Sequence, residues 1–150
     1  MIQGHDSVIV RTLIRVLVPP VQLFAFYVLI HGHGSPGGGF QGGVVLAATY
    51  ILIALALGRA ELDRRVPEER LLVLGAIGVL IFALTGLLGV LSGGALFDYQ
   101  VLPFPGLQGA ELRALGILLI EIGVFLGVAS VLTLIFCRLA KMGEGEGEAE

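Results

Sequence analysis

The sequence is poor in the groups that do chemistry in water. A single cysteine, Cys137, stands near the C-terminal end of 150 residues, so no intrachain disulfide and no cysteine-based metal site can form. Tryptophan is absent and there are three histidines, which leaves the chain without equipment for redox chemistry of its own. Charged residues make up 14% of the chain, against the ~25% usual for soluble domains. These shortages exclude a disordered chain, a coiled coil and a disulfide-stapled secreted module. What is abundant is apolar: 56% of the residues are hydrophobic and 23 are glycine, without the triplet repeat of collagen. An integral membrane protein is the class that remains.

A helix needs ~20 mostly apolar residues to cross the hydrocarbon core. Four runs meet that length, at about 12–30, 40–57, 71–91 and 112–137. The expected fold is therefore an all-α membrane protein, with a four-helix domain over 1–142 and an acidic, disordered Gly-Glu tail over 143–150. The first run is too long for the core of a signal peptide, contains Pro19-Pro20 and is followed by no Ala-x-Ala site, so it reads as a span. The proline pair should kink or locally break it. Arg11, Arg15, Arg59, Arg64, Arg65, Arg70, Arg138 and Lys141 fall on one side of such a bundle, and only Arg113 falls at the other. Basic residues favour the cytoplasmic side, so both termini and the connection around 59–70 are expected there, with 31–39 and 92–111 facing out.

Helices in lipid associate through small residues that let backbones approach. At 100° per residue, Gly75, Gly78, Phe82, Gly86 and Gly89 share a face of the third span. Gly43, Ala47, Tyr50, Ala54 and Gly58 do so in the second, and Gly116, Gly123, Gly127 and Ser130 in the fourth. These stripes read as helix-packing faces. Glu121 lies on a different face of the fourth span, beside Leu118, Phe125, Val128 and Leu132. A carboxyl at membrane depth costs roughly 2.5–3.5 kcal/mol on insertion scales and is typically paired, protonated or turned to water. It reads either as a station on a proton or cation route or as a structural hydrogen bond to a neighbouring helix. The fourth span should then be contacted on two sides. Gln22, Thr49, Thr85 and Thr133 should bond to their own helices.

The segment 31–43 reads His31-Gly-His33-Gly-Ser35-Pro36-Gly37-Gly38-Gly39-Phe40-Gln41-Gly42-Gly43, and seven of its thirteen residues are glycine. Ser35-Pro36 resembles an N-cap followed by proline at the first helical position. Glycines in the first turns of a helix cost about 1 kcal/mol each against alanine, so another backbone or an ion should come close. There is no lysine for a phosphate cradle and there are too few ligands for a zinc site, so no resident metal and no cofactor are expected. A proton relay through His31 and His33 and a tight interfacial turn with two surface histidines both fit.

The run HGHGSPGGGFQGGVVLAA, preceded by FAFYVLI, resembles the signature of the B subunit of Mrp-type, also called Mnh-type, multisubunit cation/proton antiporters. The same domain is similar to subunits of membrane-bound hydrogenase and sulfane-reductase complexes. The match is most specific over about 17–57 and continues more loosely through all four spans, including the acid Glu121 followed by Ile-Gly-Val. The resemblance implies an accessory, non-enzymatic subunit in a prokaryotic plasma membrane. It would work among other membrane subunits and lipids, in a module that exchanges Na+ or another monovalent cation for protons. It also implies that the motif positions His31, His33, Pro36, Gly37, Gly38, Gly39, Phe40, Gly42 and Gly43 serve that module, whether in transport or in packing. A subunit of a redox-driven complex and a purely structural scaffold are the alternatives.

Overall fold

The computed structural model describes residues 8–32 and 38–146. It holds five helices: α1 (Val8–His31), α2 (Gly39–Leu57), α3 (Arg59–Arg65), α4 (Glu68–Leu91) and α5 (Ala110–Glu146). A 3-10 turn, Tyr99–Val101, lies between α4 and α5. There is no strand among the described residues. α1, α2, α4 and α5 are each long and apolar enough to cross a membrane. They are the four expected spans, each lengthened at one or both ends.

α5 is the middle of the bundle. It packs against α4 on one side and α2 on the other, and α1 lies on the far side of α2. α1 reaches α5 through Phe26, whose ring sits 5.3 Å from that of Phe125. Both faces of α5 singled out from the sequence are thus covered from within the chain. Its glycine face meets α4: a methyl group on Gly78 would fall 2.6 Å from the Gly123 carbonyl oxygen and 2.7 Å from the Gly127 nitrogen. Its Glu121 face meets α2, where a methyl on Gly43 would fall 2.9 Å from the Phe125 carbonyl oxygen. Real side chains do not tolerate such distances, so only glycine permits helices this close.

The large apolar side chains of α1 and α4 point outward, with Ile9, Leu23, Val79 and Leu91 all strongly exposed. Ile14, Val18, Ile53, Ala54, Leu62 and Cys137 form one buried cluster, and Ala25, Leu29, Leu46, Phe125 and Ala129 form another. Tyr50 packs against both. Large apolar side chains on the outer surface suit a chain whose solvent is lipid.

Several expectations need correction. α1 remains one helix through Pro19 and Pro20, although the pair removes the N–H groups that would bond the carbonyls one turn back. α2 begins at Gly39 with Gly38 as its N-cap, and no side chain caps it; the expected cap, Ser35-Pro36, lies outside the described residues. α3 was not anticipated; its Leu62 is fully buried in the first core cluster. Gly86, Gly89 and Gly116 do not receive a helix. A methyl on Gly86 would meet the Phe97 ring at 2.6 Å, one on Gly89 the Ala95 carbonyl at 2.7 Å, and one on Gly116 the Tyr99 ring at 2.6 Å. The α4–α5 connection folds back into these notches. Phe97 takes a left-handed backbone conformation (φ 61°) to do so, and its ring packs 5.2 Å from Phe82. Burial there pushes the Tyr99 phenol above its ordinary value. α5 also continues through 143–146, into the segment expected to be a disordered tail.

At the opposite end of the bundle one carboxylate gathers three cations. Glu68 lies 2.5 Å from Lys141 Nζ, 3.4 Å from Arg138 and 3.5 Å from Arg59. Arg59 also reaches Asp63 at 3.8 Å. Glu68 is only 16% exposed and ties α3, α4 and α5 together. Basic residues well separated in sequence therefore share one end of the molecule.

Because α4 and α5 meet through backbone at Gly78, Gly78→Ala should force them apart and cost about 1–3 kcal/mol, as overpacking does. The check is thermal unfolding in detergent. An unchanged melting temperature would mean that the contact carries no load.

Candidate functional site

The α1–α2 turn and α5 converge on one polar group, the carboxyl of Glu121. A methyl on Gly32, at the end of α1, would fall 2.6 Å from Glu121 Oε2 and 2.8 Å from Oε1. One on Gly38 would fall 3.1 Å from Oε1. One on Gly39 would collide with the Glu121 carbonyl oxygen itself. The half-buried carboxyl therefore nests between the end of one helix and the start of the next. Gly38 is fully extended (φ 178°), a conformation open to any residue; it is at Gly32 and Gly39, where an added methyl would meet backbone, that space requires glycine.

Below the carboxyl the seam is closed by Phe125, which packs against Gly42. A methyl on Gly42 would fall 2.7 Å from the Ala25 carbonyl oxygen and 3.1 Å from the Phe125 ring. Phe125 itself is 2% exposed. The glycines at 32, 38, 39, 42 and 43 thus form a continuous seat for the Glu121–Val128 stretch of α5.

The electrostatics of the seat follow from the helices. The first-turn amides of α2 have no intrahelical acceptor, and the positive end of its dipole lies at Gly39. A carboxyl against Gly38 faces that end. Polar backbone at such a depth is tolerated where protein, rather than lipid, surrounds it.

The other candidates are arranged differently. His31 is exposed, with its ring stacked on Tyr27 at 4.1 Å. Its Nδ1–H donates to the Tyr27 carbonyl oxygen at 3.0 Å, which fixes the tautomer and directs the ring along its own helix. Phe40, in the first turn of α2, is 62% exposed. His33, Ser35, Pro36 and Gly37 lie outside the described residues. Gly75 rests more loosely on α5, its added methyl 3.4 Å from Ser130 Cβ. A methyl on Gly127 would meet no described atom within 4 Å, so this glycine offers backbone to α4 and an open notch elsewhere.

The hydroxyls are spent locally. Thr49 donates to Leu46 O, Thr85 to Ile81 O and Thr133 to Ala129 O, each at 2.7 Å. Gln22 departs from expectation: its Nε2 donates across helices to Thr49 Oγ1 at 3.3 Å. Among the described residues, no group of three His, Cys, Asp or Glu side chains gathers to hold a metal ion. What the arrangement offers chemically is one carboxyl in a backbone-lined seat, able to hold a proton or a small cation.

The comparisons with known proteins agree with this architecture. Residues 9–134 match the family model described as "Domain related to MnhB subunit of Na+/H+ antiporter". The protein named "Putative antiporter subunit mnhB2" from Staphylococcus haemolyticus (strain JCSC1435) is 36% identical over 141 residues, covering 91% of this chain and 96% of that one. Its namesake from Staphylococcus aureus (strain Newman) is 30% identical with the same coverage. Among solved structures, a chain of the membrane-bound sulfane sulfur reductase, an archaeal respiratory membrane complex, superposes with a TM-score of 0.65 at 26% identity. That match covers 91% of this chain and 60% of the solved one, so the present chain spans less than two thirds of that relative. Four membrane-crossing helices and a family match over most of the length lead to one conclusion: this is a multi-pass prokaryotic membrane protein, and it belongs to the family of domains related to the MnhB subunit of Na+/H+ antiporters.

Proposed function

We propose that the chain is an accessory subunit of a multisubunit antiporter that exchanges Na+, or another monovalent cation, for protons, and that Glu121 lies on the route of the exchanged ion. The observation that carries this reading is the seating of the Glu121 carboxyl against Gly32 and Gly38, where α1 ends and α2 begins. A carboxyl set among backbone groups can exchange a proton for a cation without rebuilding its surroundings, and intramembrane carboxyls mark ion pathways by default. His31 stands on the exposed rim of the same turn, where it would serve proton delivery. The chain itself catalyses no covalent step. The basic end around Glu68 is assigned to the cytoplasm, together with both termini.

A second reading is favoured by the likeness to a chain of the sulfane sulfur reductase. There the same seat would serve a complex driven by electron transfer. The subunits that purify with this chain decide between the two: antiporter subunits alone for the first, metal-cluster subunits for the second.

Glu121→Gln in the intact complex should abolish or strongly reduce cation/proton exchange in membrane vesicles while assembly on native gels stays normal. Full exchange by that variant would remove Glu121 from the route and leave a packing role. Gly39→Ala should act differently. Its methyl would meet the backbone of α5, so α2 must shift, and the yield of assembled complex should fall sharply. Gly38→Ala meets only the tip of the Glu121 side chain and should assemble nearly as the parent does. Equal yields from the two glycine variants would refute the close-approach account.

A further inference from the structure

Gln22 is a polar side chain in the α1–α2 seam that the ion route leaves unused. It is half-buried, and its Nε2 donates to Thr49 Oγ1 across the seam at 3.3 Å. Thr49 is 3% exposed, and its own hydroxyl proton is committed to the Leu46 carbonyl oxygen at 2.7 Å. The hydroxyl oxygen is thereby left to accept, which orients the Gln22 amide with its nitrogen towards Thr49. The two bonds run in one direction, from α1 through Thr49 into the backbone of α2.

Shape alone specifies the α1–α2 register weakly. A methyl on Gly42 would fall 2.7 Å from the Ala25 carbonyl oxygen, so Ala25 sits in a glycine notch of α2. Gly39, three residues earlier in the same helix, offers a similar notch. Sliding α1 until Ala25 faces Gly39 is a displacement of about 4.5 Å at 1.5 Å per residue, and lipid sets no hydrophobic penalty against it. α1 is the outer helix of the bundle, and Pro19 and Pro20 remove two hydrogen-bond donors from it in the turn below Gln22. The same slide would carry Leu29 to the place of Gly32, where even a methyl has no room beside the Glu121 carboxyl.

We propose that Gln22 is a positioning residue: its hydrogen bond to Thr49 selects the register that brings Gly32 and Gly38 together around the Glu121 carboxyl. Gln22 lies ten residues before Gly32, and Thr49 ten residues after Gly39. The bond therefore stands about 15 Å below the seat on both helices at 1.5 Å per residue. In the slipped register Thr49 would face Pro19, which has no donor, and the Gln22 amide would face Leu46. One polar pair in an apolar seam fixes register in this way in coiled coils, because slipping strands it among hydrocarbon. The consequence for transport rests on the route proposed for Glu121; the register does not.

The test uses the intact complex with spin labels at Ile30 and Leu55, exposed residues near opposite ends of the α1–α2 hairpin. The parent should give one narrow distance. Gln22→Leu and Thr49→Val, each apolar and close in size to the residue replaced, should add a second population longer by a few ångströms. The double variant should match the single ones, since all three break the same bond. Gln22→Glu, whose protonated carboxyl keeps a donor for Thr49, should restore the single distance. In membrane vesicles Gln22→Leu should raise the KM for the exchanged cation severalfold at an unchanged yield of assembled complex, and Gln22→Glu should recover the parent value. One parent-like distance in both apolar variants would overturn the positioning role. A second, longer distance with parent-like exchange would uphold the register and remove Glu121 from the ion's route.

Discussion

Backbone-to-backbone contact along two faces of α5 is the constraint on which the rest of the chain depends. Lipid gives no hydrophobic reason for helices to meet, so association has to come from dispersion at very short range and from polar contacts. Gly78 against Gly123 supplies that contact on one face of α5, and Gly39 and Gly43 supply it on the other. The Glu121 carboxyl is held at the α1–α2 turn because the residue's own backbone is already locked against Gly39. A carboxyl on a loosely packed helix could swing towards the aqueous boundary, but this one has its main chain fixed first.

The two helical hairpins differ in height, and the difference gives the Glu121 seat its setting. Glu121 is eleven residues into α5, so the α1–α2 turn stands about 16 Å short of the helix start at 1.5 Å per residue. Among the described residues, α4, α5 and their connection rise above that level, with Phe97 and Tyr99 filling the notches at Gly86 and Gly116. The carboxyl is therefore recessed, beside a short hairpin and below the top of a tall one. At the other end the Glu68 cluster clamps α3, α4 and α5, so the bundle is tied by charge where it meets water and by glycine where it does not.

The features legible in the sequence were those set by length and periodicity. Four apolar runs of sufficient length could only be spans, and glycines at helical spacing had to be close-approach faces. The partner of each face was less legible, because a stripe says that something comes near and not what. Gly78 and Gly123 received each other's helix, whereas Gly86 and Gly116 received aromatic rings from a loop. No local signal marks Phe97 or Tyr99 as returning to the bundle, since that contact depends on where α4 ends relative to α5. α2 begins at Gly39, where α5 presses on the backbone. The isolation of Glu121 in an apolar run was plain, and its glycine seat became visible only when the turn and α5 were placed together.

The interior beneath the carboxyl bears on how such a subunit can serve transport. From Glu121 towards the Glu68 cluster, α5 buries Phe125, Ala129, Ser130, Thr133 and Cys137. The Thr133 hydroxyl is already committed to the Ala129 carbonyl. Phe125 seals the seam immediately below the seat, packed against Gly42 and Phe26. Arg138 lies about 25 Å from Glu121 along the helix at 1.5 Å per residue. A partly hydrated ion crossing that stretch would need ligands that these side chains do not offer, and a proton would need a chain of groups free to donate and accept. On the function proposed above, a carboxyl loaded from one side above this apolar floor would supply half of a pathway, and neighbouring subunits would supply the other half.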